Sequence, residues 1–221
     1  MKIIKTILIS TFLAGVFVGT NAIAAVNLAP NSTLDITDAD GNPTGWNHGG
    51  YGENTRKHLV VPCRYYEYDG MGNLWIDGTY YPNEIIRGTL IGKYLASECP
   101  IRTRQIINVA SSAYKNGDAK WYFSDVPIGK NKDFTVSYDY QRQSYTPTLY
   151  YALARYTLAN GKYRYVPIGG MPQLEYGSHG SNPWGKATHQ FTAPHNAKSL
   201  TIFFTVEGDG LLSIANVILI Q

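Results

Sequence analysis

The chain has 221 residues, of which 44% are hydrophobic, 13% are aromatic and only 16% are charged. Its 19 Lys and Arg residues against 16 Asp and Glu residues give a formal net charge of +3, without a block of consecutive basic residues. This even balance excludes a nucleic-acid-binding protein, which needs a strongly basic surface.

The first 24 residues have the pattern of a secretory signal peptide. Lys2 and Lys5 supply positive charge, residues 7–18 form an apolar stretch, and Ala22-Ile23-Ala24 matches a small-x-small cleavage site. The apolar stretch is too short to span a bilayer comfortably and no second one follows, so we expect no transmembrane segment after processing. The sequence therefore predicts a secreted protein, extracellular or periplasmic, whose residues 25–221 form one domain.

The two cysteines, Cys63 and Cys99, enclose an unusual segment. In the oxidising compartment that a signal peptide implies, an even pair indicates a disulfide bond, the alternative being two buried free thiols. Residues 64–100 are rich in aromatic side chains and in turn pairs such as Asp69-Gly70 and Asp77-Gly78. Loops of this length inside a compact domain are usually functional or disordered. We predict one long disulfide-closed loop insertion here rather than a regular sheet.

The second half of the chain predicts short strands separated by turns, with no convincing helical period. Residues 134–140 alternate apolar and polar side chains, as a half-buried strand does. Asn160-Gly161, a strong hairpin signal, separates residues 149–158 from residues 163–168. Further strands are expected around residues 121–123, 200–206 and 211–220. Many short strands at this spacing indicate an all-β sandwich or barrel.

Three segments in order resemble a known family. Residues 27–35 read Asn-Leu-Ala-Pro-Asn-Ser-Thr-Leu-Asp, and residues 41–46 read Gly-Asn-Pro-Thr-Gly-Trp. Together with a middle piece (residues 117–123 and 134–137) and an ending (residues 184–191, 193–194 and 211–219), they resemble bacterial jelly-roll carbohydrate-binding modules of the galactose-binding-domain-like type (families four, nine and twenty-two). Those modules open with an Asn-Leu-x-x-Asn-x-x-aromatic-Glu strand and a Gly-x-Pro-x-Gly-Trp turn. The resemblance implies a jelly-roll β-sandwich of two antiparallel sheets that binds a polysaccharide or oligosaccharide on one face, usually without catalysis.

The resemblance also bears on metal binding. Family members often carry a structural calcium ion near the two chain ends, and Asp35 stands at the acidic position of the first strand. The usual Ile-Asp-Asn-Val of the last strand is here Ile214-Ala215-Asn216-Val217. Alanine cannot ligate a hard cation, which needs oxygen donors. The expectation is therefore that no cofactor is required, with calcium at Asp35 as the one metal hypothesis.

Candidate sugar-binding residues follow from the alternation of side chains along the predicted strands. Flat aromatic rings suit the C–H face of a pyranose, whereas carboxylate, amide and phenol groups suit its hydroxyls. The assignment takes Leu149, Tyr151 and Leu153 as inward-facing, which turns their neighbours outward. The predicted carbohydrate-binding residues are Asp139, Gln141, Tyr150, Tyr156 and Glu207 on strands and Trp75 in the insertion. In similar modules an acid at the position of Glu207 contacts sugar hydroxyls. The alternative interpretations are an ordinary hydrated face and, for Trp75, a small satellite core.

No catalytic motif accompanies these residues: the sequence lacks Gly-x-Ser-x-Gly, His-Glu-x-x-His and a phosphate-binding glycine loop. The sequence therefore predicts a secreted, lectin-like, non-catalytic carbohydrate-binding protein whose partner is a polysaccharide or cell-surface glycan. Two alternatives stay open. One is a protein-binding effector or adhesin that docks residues 64–100 on a host or envelope protein. The other is a polysaccharide-degrading enzyme, either a glycoside hydrolase or a polysaccharide lyase.

Overall fold

A computed structural model describes residues 25–62, 66–68, 74–76, 79–81, 105–144, 147–172 and 184–221. The predicted signal peptide and both Cys63 and Cys99 lie outside these ranges, so the leader and the disulfide stay predictions. Every regular element in the described ranges is a β-strand, which confirms the all-β prediction. The described ranges contain no helix long and apolar enough to cross a membrane.

Two five-stranded sheets make up most of the described chain. The strands, in chain order, are β1 (Trp46–Tyr51), β2 (Thr55–Pro62), β3 (Tyr66–Tyr68), β4 (Leu74–Ile76), β5 (Thr79–Tyr81), β6 (Gln105–Ser112), β7 (Asp118–Pro127), β8 (Asp133–Ser144), β9 (Leu149–Leu158), β10 (Tyr163–Gly170), β11 (Gly185–Thr192), β12 (Ala197–Glu207) and β13 (Gly210–Ile220). The first sheet has the order β1-β7-β12-β9-β10, and the second has the order β11-β8-β13-β6-β2. Both are antiparallel throughout, as a sandwich of the predicted kind requires.

The insertion contains regular structure that the sequence did not predict. The strands β3, β4 and β5 pair antiparallel in a separate three-stranded sheet. The prediction of a loop without a sheet is therefore wrong for these nine residues. The same turn pairs that suggested a loop lie between short runs of tyrosine, tryptophan and isoleucine, which favour strands.

The core between the two five-stranded sheets is dominated by aromatic rings. Trp121, Phe123 and Phe204 enter it from the first sheet, and Tyr138 and Tyr140 enter it from the second, each at most 1% exposed. The rings of Tyr138 and Phe204 meet edge to face with centroids 4.9 Å apart, which joins the sheets across the interface. The predicted inward parity of β8 and β12 is confirmed by this burial.

The parity of β9 is opposite to the predicted one. Leu149 is 62% exposed, whereas Tyr150 and Tyr156 are only 4% and 1% exposed. The inward positions between them are Ala152 and Ala154, and a core crossed by large rings needs small residues beside them. Burial raises the pKa of both buried tyrosines to about 12, so they stay neutral in the interior. Tyr150 and Tyr156 are therefore core residues, and their assignment to an open face is wrong.

The chain before β1 is held against the last strand by the side chain of Asn27 and by two backbone hydrogen bonds, from Leu28 N–H to the carbonyl of Leu219 (2.7 Å) and from Val217 N–H to the carbonyl of Ser32 (3.3 Å). Asn27 Oδ1 accepts hydrogen bonds from the backbone N–H groups of Ala29 (3.0 Å) and Leu219 (2.8 Å). Its Nδ2 donates to the carbonyl of Val217 at 3.1 Å. The opening strand implied by the resemblance does not form, because Asn31 and Leu34 adopt left-handed φ values of 44° and 59°.

We expect Asn27→Ala to lower the free energy of unfolding by about 2 kcal/mol, because it leaves buried backbone groups of β13 without partners. Asn27→Asp keeps the two accepting bonds and should lose less. Urea denaturation followed by tryptophan fluorescence measures both, with the exposed Asn47→Ala as control. Equal stability of Asn27→Ala and Asn47→Ala would show that the N-terminal segment is not held by this side chain.

Candidate functional site: the open face of the first sheet

The outward side of the first sheet carries aromatic and charged side chains, and we call it the open face. Its five strands span about 19 Å from β1 to β10, as four inter-strand spacings of about 4.8 Å. Alternation and register bring together on this side Tyr51 of β1, Lys120 and Tyr122 of β7, Phe203 and Glu207 of β12, Tyr151, Leu153 and Arg155 of β9, and Tyr163 and Tyr165 of β10.

The floor of the open face is an aromatic pair at its centre. Phe203 is 5% exposed, and the ring of Tyr122 on the adjacent strand lies 5.0 Å from its ring, tilted by 42°. The ammonium of Lys120 lies 5.4 Å from the centroid of Phe203 and 5.5 Å from that of Tyr51. Cations at this distance are attracted by the ring faces, so the lysine is held over the floor.

One end of the open face is a hydrogen-bonded polar cluster. The hydroxyl of Tyr151 donates to Glu207 Oε2 at 3.1 Å, and Lys120 Nζ donates to Asp118 Oδ2 at 2.8 Å. Asp118 Oδ1 also accepts from the backbone N–H of Tyr51 at 3.3 Å. Burial first, and then the Glu207 carboxylate, raise the pKa of Tyr151. Tyr151 is therefore a permanent donor that orients the Glu207 carboxylate at neutral pH.

Exposed tyrosines flank this arrangement on both edge strands. Tyr51 on β1 is 59% exposed, and Tyr163 and Tyr165 on β10 are 58% and 57% exposed. Desolvation, together with the charges of Glu207 and Asp118, raises the pKa of Tyr51. Each edge of the sheet thus offers a large flat ring with a hydroxyl at its tip.

The other end of the open face is built around Arg155. Its Nη2 donates to Thr201 Oγ1 at 3.0 Å, and Thr201 is only 2% exposed. The guanidinium carbon lies 4.8 Å from the ring centroid of Tyr163 on β10 and 5.6 Å from that of Phe203 on β12. Because β9 lies between these two strands, the guanidinium has an aromatic ring on each side.

The sequence placed five residues on one strand face and Trp75 on a separate candidate surface in the insertion, and the structure separates the five. Glu207 lies on the open face, as its parity predicted. Asp139 and Gln141 belong to β8 in the second sheet, where Asp139 Oδ2 accepts from Asn216 Nδ2 at 2.6 Å and Gln141 is 2% exposed. They cannot share a face with Glu207, because β8 belongs to the second sheet whereas β12, which carries Glu207, belongs to the first.

The remaining predicted residues are not on the open face either. Tyr150 and Tyr156 are in the core, as described above. Trp75 belongs to β4 of the small sheet, and its side chain lies outside the described part of the structure. Sequence reasoning missed Tyr51, Tyr151 and Arg155 as well as Tyr163 and Tyr165. Tyr163 and Tyr165 could have been recognised, because their spacing of two residues after the Asn160-Gly161 turn places both rings on one face of a strand.

The calcium hypothesis at Asp35 finds no support in a ligand set. Asp35 Oδ1 accepts a hydrogen bond from the hydroxyl of Thr33 at 2.8 Å. Within the described ranges, no three His, Cys, Asp or Glu side chains come together as a metal site would need. Calcium at this position stays a prediction of the resemblance, and no step below depends on it.

No protein-family model and no curated protein sequence matches the chain. Solved structures do resemble it. The enzymatically active domain of tailspike protein 4 from bacteriophage CBA120 matches with a TM-score of 0.52 at 14% identity, over 87% of this chain and 21% of that chain. The tandem domain CBM22-1-CBM22-2 of Xyn10C from Paenibacillus barcinonensis matches with a TM-score of 0.50 at 12% identity, over 91% of this chain and 47% of that chain.

The chain thus spans about a fifth of the tailspike domain and about half of the tandem domain. At these identities the likeness concerns the path of the backbone. It agrees with the two antiparallel sheets described above and with the resemblance noted in the sequence. The chain has the β-sandwich fold that is found in carbohydrate-binding modules of the CBM22 type.

Proposed function

We propose that the protein is a non-catalytic carbohydrate-binding protein that holds a saccharide chain across the open face of its first sheet. The observation that carries the proposal is the pattern of that face. Exposed tyrosine rings stand at both edges, and oriented polar groups lie between them. The CBM22 name of one fold relative agrees with this role.

The chemistry of the open face suits a saccharide. A tyrosine ring covers the apolar face of a pyranose at a low entropic cost, because its side chain has few rotatable bonds. The Glu207 carboxylate can accept from sugar hydroxyls while Tyr151 keeps it oriented. A width of about 19 Å offers room for several sugar units laid across the strands.

The arrangement of the carboxylates supports binding rather than hydrolysis. Asp118 and Glu207 lie next to each other on the adjacent strands β7 and β12. The register pairs Ala119 with Val206, and in antiparallel strands the next positions at the same end are Asp118 and Glu207. Glycoside hydrolysis needs two carboxyl groups that flank the scissile bond, one of them free to protonate the leaving oxygen. Here both carboxylates belong to the open face, so both would lie on the same side of a sugar bound there. Asp118 is also only 4% exposed and is paired with Lys120.

Export of the protein is part of the proposal. The predicted signal peptide would place the open face outside the cytoplasm, extracellular or periplasmic, where polysaccharides and cell-surface glycans are found. The alternative of a protein partner rests largely on residues 64–100, most of which lie outside the described ranges, and is not proposed.

A glycan array followed by calorimetry tests the proposal. We expect Tyr165→Ala to weaken binding of the best glycan about 10-fold, and Tyr51→Ala to do the same, because each removes one exposed stacking ring. The control is Leu59→Ala, which shortens an exposed apolar side chain on the outer side of the second sheet. The proposal fails if no glycan binds, or if the three variants bind equally well.

A further inference from the structure

We propose that the saccharide held by the open face is acidic, and that Arg155 binds its carboxylate or sulfate group. This inference rests on the proposed function and narrows it to a class of ligand. It begins from a positive charge, that of Arg155, which no described residue neutralises.

Arg155 has no acidic partner among the described residues. The ion pairs found there join Lys115 to Glu53 and Lys120 to Asp118. The contacts of Arg155 are a neutral hydroxyl, that of Thr201, and two aromatic rings. The other cation of the open face, Lys120, is neutralised by Asp118, so Arg155 carries the uncompensated charge of this surface.

The guanidinium is held in one orientation before any ligand arrives. The rings of Tyr163 and Phe203 lie on either side of it, and the bond to Thr201 fixes one edge. An arginine has five N–H donors in a planar fork. Nε is shielded from solvent and has no hydrogen-bond partner, and one N–H of Nη2 is taken by Thr201. Three N–H groups on Nη1 and Nη2 are left for a ligand.

An anionic group fits these donors better than a sugar hydroxyl does. A carboxylate or sulfate can accept two parallel N–H bonds from the fork and supplies the missing counter-charge. A hydroxyl accepts through one oxygen and neutralises nothing. Arg155 is half-buried between two rings, so its guanidinium has lost part of its hydration. No ion among the described residues compensates this loss, and an acidic ligand would do so.

The charges of the open face also position the ligand. Thr201 is the register partner of Arg155, and Glu207 lies six residues further along the same strand. At about 3.3 Å per residue, the two charges are separated by about 20 Å. Glu207 repels an anionic group at its own end, so the acidic unit is placed at the Arg155 end and the hydroxyls at the Glu207 end.

The test compares glycans that share a backbone and differ in charge. Polygalacturonate, alginate, hyaluronan and chondroitin are each measured beside the neutral product obtained by reducing their carboxyl groups. We expect the acidic member of at least one pair to bind about 10- to 100-fold more tightly than its neutral product. Raising NaCl from about 50 mM to about 500 mM should weaken only the acidic member.

Variants assign this preference to Arg155. Arg155→Gln should bring the ratio of acidic to neutral affinity close to one, and Arg155→Lys should give an intermediate ratio because it keeps the charge without the planar fork. Arg164→Gln is the matched control, since Arg164 is exposed on the adjacent strand and its parity points to the other side of the sheet. Thermal unfolding of each variant verifies that it is folded.

Chondroitin sulfate and its carboxyl-reduced form separate the two sources of charge. Binding that survives carboxyl reduction assigns the site to sulfate, and binding that is lost assigns it to carboxylate. Equal affinity for acidic and neutral members, or an unchanged ratio in Arg155→Gln, overturns the acidic-ligand proposal and leaves the proposed function standing. Failure to bind any glycan overturns both the acidic-ligand proposal and the proposed function. If Arg155→Gln does not fold, the salt dependence of the unmodified protein tests the preference for an acidic ligand.

Discussion

Gly117→Ala should lower the free energy of unfolding by about 3–5 kcal/mol, a large effect for a substitution that only adds a methyl group. Gly117 has a φ of +93°, and a Cβ placed there would lie 1.9 Å from the carbonyl oxygen of Tyr51 and 2.7 Å from the Cα of Gly52. Both obstacles are backbone atoms, so a rotamer change cannot relieve the clash. The left-handed conformation itself adds roughly 1–2 kcal/mol for any residue with a Cβ.

Two loops meet at this glycine, and hydrogen bonds prevent them from moving apart. The backbone N–H of Glu53 donates to Asn116 Oδ1 at 3.0 Å, and Asn54 Nδ2 donates to the carbonyl of Asn116 at 2.9 Å. Gly161→Ala is the matched control, because Gly161 has a φ of +77° and a Cβ added there would meet nothing within 4 Å. Urea denaturation should show a loss of only about 1–2 kcal/mol for the control, which keeps the left-handed penalty without the clash. Equal losses in the two variants would mean that the loops do not meet this closely.

The second large effect that we expect is a loss of folding stability at low pH, and it originates in a pair of stacked histidines. His48 on β1 and His58 on β2 stack with ring centroids 4.4 Å apart. The ring of Trp121 meets both of them edge to face, with centroid distances of 5.0 Å and 5.8 Å. His58 Nε2 lies 3.1 Å from the carbonyl of Gly49. The pair thus closes the sandwich where the edge strands of the two sheets approach each other.

Protonation of His58 opposes folding. Desolvation, then the neighbouring His48 and the charge of Arg56, lower the pKa of His58 to about 4 from its usual value near 6.5. Between these two pH values the unfolded chain binds a proton that the folded chain does not. The free energy of unfolding therefore falls as the pH drops from about 6.5 to about 4, by about 2 kcal/mol after allowance for the partial exposure of the ring.

His58→Gln should remove most of this pH dependence, because glutamine can still donate to Gly49 and does not titrate. Denaturation curves at intervals between about pH 4 and pH 7 give the slope for each variant. His195→Gln is the control, since His195 is exposed in the loop before β12. If the slope in His58→Gln matches that of the unmodified protein, the acid sensitivity originates elsewhere.

The strands could be predicted from the sequence because their signals are local. Asn160-Gly161 separates β9 from β10, and Gly208 with a φ of 122° lies between β12 and β13. Alternation in residues 134–140 correctly identified the inward rings of Tyr138 and Tyr140. Turn chemistry and side-chain period act within a few residues, so they can be recognised without knowing what the strand packs against.

The site could be predicted only in part. Glu207 was placed on the correct face because Ile202, Phe204 and Val206 form an apolar series at the inward parity of β12, while Thr205 and Glu207 alternate with it. β9 has apolar residues at both parities, and its pattern alone does not tell whether Leu153 or Ala154 faces the core. Asp139 was assigned to the same surface as Glu207, because the chain order does not state which of the two sheets a strand joins.

The sequence by itself determined that this protein is built of strands with aromatic inward faces, since these properties depend on neighbours along the chain. Only the tertiary structure decided which side chains meet. β8 and β9 belong to different sheets, and the rings of Tyr138 and Phe204 meet in the core between them. The small inward residues of β9 beside these rings are alanines, so Tyr150 points inward and Tyr151 outward. The open face, with Arg155 between two rings from neighbouring strands, exists because residues far apart in the chain are brought into register.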